Sequence, residues 1–184
     1  MNVYQQNSLK DALIAAVTLN IFNKHSDRVR MANIAQMVNV LQAVLLTKGE
    51  KMVKTPTYYA FKLYNVHQDA TLVDSIIEAG ESVCKGDSIP KLSESASVDK
   101  DGNLHITLCN IDPNEGETVE CDLRGMKATE INAEIIESEL MNDYNDFDKD
   151  EKVFIKPFNG IEKTETGFKV NLPKRCVVGI TVKG

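Results

Sequence analysis

The chain has 184 residues, 42% of them hydrophobic and 26% charged, with a net charge of −6. At about 150 residues per domain this predicts one domain, or one with an appendage, and a core that needs no disulfide staples. The composition excludes a disordered tail. No apolar run reaches the roughly 18 residues of a membrane span, no secretory leader follows Met1, and the acidic balance speaks against nucleic-acid binding.

The first predicted element is a helix over residues 8–24. Ser8-Leu9-Lys10-Asp11 resembles a capping box with Asp in place of Glu. Leu9, Leu13, Ala16, Val17 and Asn20 then recur at helical spacing. Ala12, Ala15 and Ala16 permit close packing against a neighbour. Residues 29–35 read as a buried strand, which makes half of a βαβ unit with no parallel partner in this chain. Residues 37–46 are apolar and fit either a short helix or a structured loop. Thr47-Lys48-Gly49-Glu50 is a turn, and Thr55-Pro56 opens a second helix with proline at its first position.

Past residue 68 the texture changes to short strands and polar turns. Strands are predicted over 70–73, 95–98, 104–111, 117–123, 128–138, 153–155, 161–164, 167–172 and 177–182. Asp101-Gly102 marks a hairpin. Spacings of this kind predict an antiparallel sandwich. Charge divides the chain at the same place. Residues 1–70 hold eight Lys/Arg against four Asp/Glu, and the remainder holds thirteen against twenty-three. Two structural units, 1–68 and 69–184, are expected.

Candidate chemistry is sparse. Cys84, Cys109, Cys121 and Cys176 form no CxxC pair and read as buried or free thiols. His25, His67 and His105 lack metal-ligand spacing, and His105 fits a surface or partly buried sheet position. The acidic run from Asp143 to Asp150 fails the calcium-loop pattern, since Glu151 and Pro157 stand where Gly and Glu are needed, and it reads as a solvated loop. No metal or cofactor is expected. No nucleophile motif or phosphate loop is present. The carboxylates look like caps, turn residues or outward strand positions, so no catalytic pair is assigned. Gln36 differs. It is a neutral carboxamide where a buried strand runs out into a loop, able both to donate to and to accept from sugar hydroxyls.

Several stretches carry a family resemblance. His25 to Val29, Ala32 to Leu41, Asp11 to Leu13 with Leu19 to Phe22, Lys54 to Tyr58, Tyr64 to Gln68 and Asp122 to Met126 are similar to the α-L-arabinofuranosidases of glycoside hydrolase family 51. The resemblance covers nearly the whole chain and is most specific over 8–68. It implies an α+β fragment: the last helix–strand–helix of a (β/α)8 barrel, then a jelly-roll-like C-terminal β-sandwich. Residues 8–24 would be barrel helix seven, 28–36 strand eight and 56–67 helix eight. Gln36 would then sit at the C-terminal end of that strand, where the family's Gln contacts arabinose.

The resemblance also implies that the acid/base Glu and the nucleophile Glu lie on earlier barrel strands, outside this chain. Met1-Asn2-Val3 would be a truncation inside a larger enzyme, and the fragment is expected to be inactive. The implied partners are an arabinofuranoside-containing polysaccharide or oligosaccharide, met through the parent enzyme, and further copies of the chain in a homo-oligomer. No membrane or nucleic-acid partner is expected, and the compartment stays open. A non-catalytic carbohydrate-binding module is the alternative, against which the absence of Trp speaks.

Overall fold

The computed structural model describes residues 7–34 and 37–184. Helix α1, Leu9–Lys24, begins after Ser8 in extended conformation. The Asp11 carboxylate accepts from the Ser8 amide at 2.8 Å and from its hydroxyl at 3.0 Å. The next two amides, Leu9 and Lys10, donate to the carbonyls of Asp143 and Met141, each at 2.9 Å. The first-turn donors of this helix are thus paired, partly by a distant loop.

Residues 29–34 carry no sheet pairing, in contrast to the strand expected over 29–35. A parallel strand needs a neighbour on its edge, and no partner for it lies among the described residues. Residues 37–44 form a structured loop rather than a helix. It leads into a hairpin that sequence pattern does not reveal, β1, Leu45–Lys48, and β2, Lys51–Lys54. Gly49 supplies the positive φ of its turn. Helix α2, Pro56–Tyr64, follows with Thr55 as its cap and proline in its first turn, and a single 3-10 turn, Asn65–His67, extends it.

The strands that follow are β3, Thr71–Val73; β4, Glu81–Cys84; β5, Asp87–Pro90; β6, Leu92–Val98; β7, Leu104–Asn110; β8, Glu117–Asp122; β9, Glu130–Glu137; β10, Ile155–Pro157; β11, Ile161–Lys163; β12, Gly167–Leu172; and β13, Cys176–Lys183. One antiparallel sheet has the order β10-β9-β13-β7-β6-β3, and a second has the order β11-β12-β8. Between them lies the sandwich core, with Leu108, Ile135, Val178 and Ile180 facing Phe168, Val170 and Leu172. The remaining hairpin, β4–β5, stands apart from both sheets.

The larger sheet is covered on its other face too. Leu9, Leu13, Ala16, Tyr59 and Leu63 of the two helices pack there on Cys109, Ile136 and Val177. Strand β13 is therefore buried on both sides, which explains its nearly continuous apolar run. Leu63 approaches β13 so closely that a Cβ on Gly179 would lie 2.9 Å from its Cδ1. The layers are thus helices, six-stranded sheet and three-stranded sheet, matching the expected combination of sandwich and preceding helices.

Candidate functional site

Gln36, the residue singled out for ligand contact, lies outside the described residues. The described chain resumes at Met37. The Met37 carbonyl accepts from the amides of Val44 and Leu45, both at 3.0 Å. Between them the chain bends through Asn39 and Gln42, both at positive φ. Gln42 Nε2 donates to Asp11 Oδ1 at 3.1 Å, and Asn7 Nδ2 donates to the Ala43 carbonyl at 2.7 Å. The hydroxyl of Thr55 donates to the carbonyls of Ala43 and Val44 at 2.9 and 3.0 Å. Two caps, one on each helix, therefore also hold the loop that follows Gln36. Each does so because a short polar side chain with two bonding directions can serve its helix and a neighbour together.

The apolar surface of this region is not fully covered. Ile14 and Ile21 on α1, Met31, Met37 and Leu41 in the loops, and Met52 on β2 are each at least half exposed. One face of α1 packs on the sandwich and another is bare.

A second polar cluster sits between the helices and the larger sheet. Asn20, on the predicted apolar stripe, is fully buried. Its carboxamide oxygen accepts from the hydroxyls of Tyr64 at 2.8 Å, Ser95 at 2.9 Å and Thr107 at 2.8 Å. Its Nδ2 donates to Ser93 Oγ at 3.1 Å. His67 lies 2.7 Å from Ser97 Oγ through Nδ1 and 3.2 Å from Thr107 Oγ1 through Nε2. Burial, helped by the nearby His105, lowers its pKa to about 4. His105 itself is buried, more deeply than the sequence suggested, between Asp99 at 2.9 Å and Thr181 at 3.1 Å. Sequence reasoning missed this cluster. The one available signal was the run of alternating serines, Ser93, Ser95 and Ser97, on a strand face that has to meet a helix.

These groups are paired and oriented for cohesion, not for acid–base chemistry. The carboxyls that shift all move down, opposite to a general acid. The Asn103 and His105 contacts hold Asp99 well below the usual range. For Asp143, burial pushes upward, but bonds from Ser138, Lys152 and the Leu140 amide outweigh it. Among the exposed large apolar side chains of the described residues, Tyr144 is the one aromatic.

The architecture is that of a domain in which two helices cover one face of a β-sandwich. The family model for the α-L-arabinofuranosidase C-terminal domain matches residues 1–175, and the chain belongs to this family. It is 42% identical over 183 residues to the intracellular exo-α-L-arabinofuranosidase of Bacteroides ovatus, covering 99% of this chain and 36% of that protein. The crystal structure of the GH51 arabinofuranosidase from Xanthomonas axonopodis pv. citri superimposes with a TM-score of 0.94 at 38% identity, over 97% of this chain and 36% of that one. The α-L-arabinofuranosidase of Thermotoga maritima, solved as an arabinose complex, shares the fold with a TM-score of 0.84 at 24% identity, over 97% and 39% of the two chains. The chain thus spans about a third of the length of the Bacteroides ovatus relative.

Proposed function

We propose that the chain is the C-terminal part of a retaining α-L-arabinofuranosidase that releases terminal L-arabinofuranose from arabinan- or arabinoxylan-type polysaccharides. The observation that carries this is the 42% identity, over 99% of the chain, to a protein named as an exo-α-L-arabinofuranosidase. Retaining hydrolysis needs a nucleophilic carboxylate and an acid/base carboxyl about 5–5.5 Å apart. In this reading both come from the part of the enzyme that the chain does not span, and the chain alone is inactive.

Residues 1–68 then belong with the catalytic barrel, and 69–184 form the sandwich that braces it. The two-faced α1 supports this division, since its bare apolar side suits a further layer. Gln36 is the substrate contact. Its carboxamide can accept from one arabinose hydroxyl and donate to another, and the neighbouring loop is held by the Asn7, Gln42 and Thr55 bonds described above. In the isolated chain the exposed apolar side chains are left uncovered and favour self-association; the homo-oligomer proposed for the parent would use other surfaces.

A chimera tests the reading. The matched third of the Bacteroides ovatus enzyme is replaced by this chain, and p-nitrophenyl α-L-arabinofuranoside hydrolysis is followed for the parent chimera and for Gln36→Ala. Loss of a sugar contact lowers kcat/KM by about tenfold to a hundredfold. Unchanged kinetics in Gln36→Ala refute the assignment. For self-association, light scattering of the isolated chain should show assemblies that grow with concentration, and a monomer throughout would contradict it.

A further inference from the structure

The connection between β9 and β10 contains Asp143, Asp146, Asp148, Asp150 and Glu151, and its acidity reads as simple solvation. Its contacts assign it more. It pairs with the first amides of α1 through the Asp143 and Met141 carbonyls. Glu151 accepts from the Tyr59 hydroxyl of α2 at 2.7 Å. Asp148 pairs with Lys51 of the β1–β2 hairpin. Asn145, 2% exposed, lies deepest of these. Its Nδ2 donates to the Lys54 carbonyl at 2.9 Å and the Val153 carbonyl at 2.8 Å. Its Oδ1 accepts from the amides of Lys152 at 3.0 Å and Val153 at 2.9 Å.

The four bonds of Asn145 use a carboxamide's full capacity. Lys51 and Asp148 are both more than half exposed, so their ion pair holds little. The connection through Asn145 runs onward. Lys54 precedes Thr55, Thr55 binds the Ala43 and Val44 carbonyls, and Val44 and Leu45 bind the carbonyl of Met37. Met37 is the residue after Gln36.

We infer that the acidic connection is a strap by which the sandwich fixes the loop beginning at Met37, with Asn145 as its positioning residue. The strap's importance for substrate rests on the reading of Gln36; the fixing of the loop does not. Only a side chain with two donors and two lone pairs can close both the strap on itself and the strap on β2. Aspartate at this position keeps the acceptors for Lys152 and Val153 and loses the donors to Lys54 and Val153, placing negative charge against two carbonyl oxygens.

Hydrogen exchange read by mass spectrometry on the 184-residue chain tests this. In Asn145→Asp and Asn145→Ala, peptides covering 37–54 should exchange about tenfold faster or more, while peptides of β7 and β13 keep their protection. Unchanged exchange over 37–54 overturns the inference, as does equal acceleration across the whole chain. If neither Asn145 variant folds, Tyr59→Phe carries the test. It removes one strap contact from α2 and should loosen 37–64 locally, and no local change there overturns the inference. In the chimera, Asn145→Asp should raise KM for the aryl arabinofuranoside more than it lowers kcat. A chimera without any activity, combined with localised exchange, would refute the proposed function and leave the strap standing.

Discussion

His67 ties the end of the second helix to the larger sheet, and its protonation should loosen that seam. The ring lies between the hydroxyls of Ser97 and Thr107, with the Tyr64 ring centroid 5.7 Å away. Burial first, and His105 second, lower its pKa from 6.5 to about 4. In the unfolded chain the group takes a proton near pH 6.5, while in the folded chain it resists one until about 4. The unfolded state therefore binds more protons across this window. The stability that the neutral ring contributes is complete above pH 6.5 and is lost as the pH falls through 6.5 towards 4. At about 1.4 kcal/mol per pH unit the full loss is about 3 kcal/mol. Urea unfolding followed by circular dichroism at pH 7.5 and at half-unit steps down to about 4 measures it. His67→Gln keeps a polar, non-titrating side chain and should flatten the difference. The carboxylates that also lose stability near the lower limit are common to both proteins, so the gap between the two curves isolates His67. Parallel curves for the two proteins would refute the reasoning.

Other substitutions probe the same layers. Gly179→Ala brings a Cβ within 2.9 Å of Leu63 Cδ1, so it should lower stability by about 1–3 kcal/mol in thermal melts, and by less in a Leu63→Ala background. Asn20→Ala removes the acceptor shared by three buried hydroxyls and should cost about 2–3 kcal/mol in the same melts. Burial pushes the Cys176 thiol up to about 12 and raises that of Cys109 as well, so neither should be alkylated by iodoacetamide at pH 8 until urea unfolds the chain, which peptide mass mapping would show.

Legibility in the sequence followed burial. The two helices were readable because each has a cap of the right type, Ser8 with Asp11 and Thr55 with Pro56. Strands β6 to β9, β12 and β13 were readable because one face of each enters the sandwich core, giving alternation or an apolar run. The hairpin β4–β5 was not. All four residues of β5 are exposed, and a strand with no buried face has no period to read. The hairpin β1–β2 buries Val53 alone among its apolar positions and fails for the same reason. The stretch 29–34 looks like a buried strand and has no pairing among the described residues, since a strand is a property of two segments and the sequence of one does not supply the other. Asn20 and Asn145 were hidden differently. One sat in an apolar stripe and the other in an acidic run, and their roles depend on partners more than 70 residues away. The expectation for Gln36 rests on the family resemblance and on its place at a loop edge, and the residue itself lies outside the described residues.

In the proposed function this chain completes an arabinofuranosidase whose catalytic carboxylates lie elsewhere in the enzyme. The most direct measurement compares p-nitrophenol release from p-nitrophenyl α-L-arabinofuranoside by the isolated chain and by the chimera with the Bacteroides ovatus enzyme, at equal molar concentration. The chimera should turn over and the isolated chain should not. Turnover by purified chain, abolished by unfolding it, would contradict this division of roles, as would an inactive chimera whose sandwich and helices are folded.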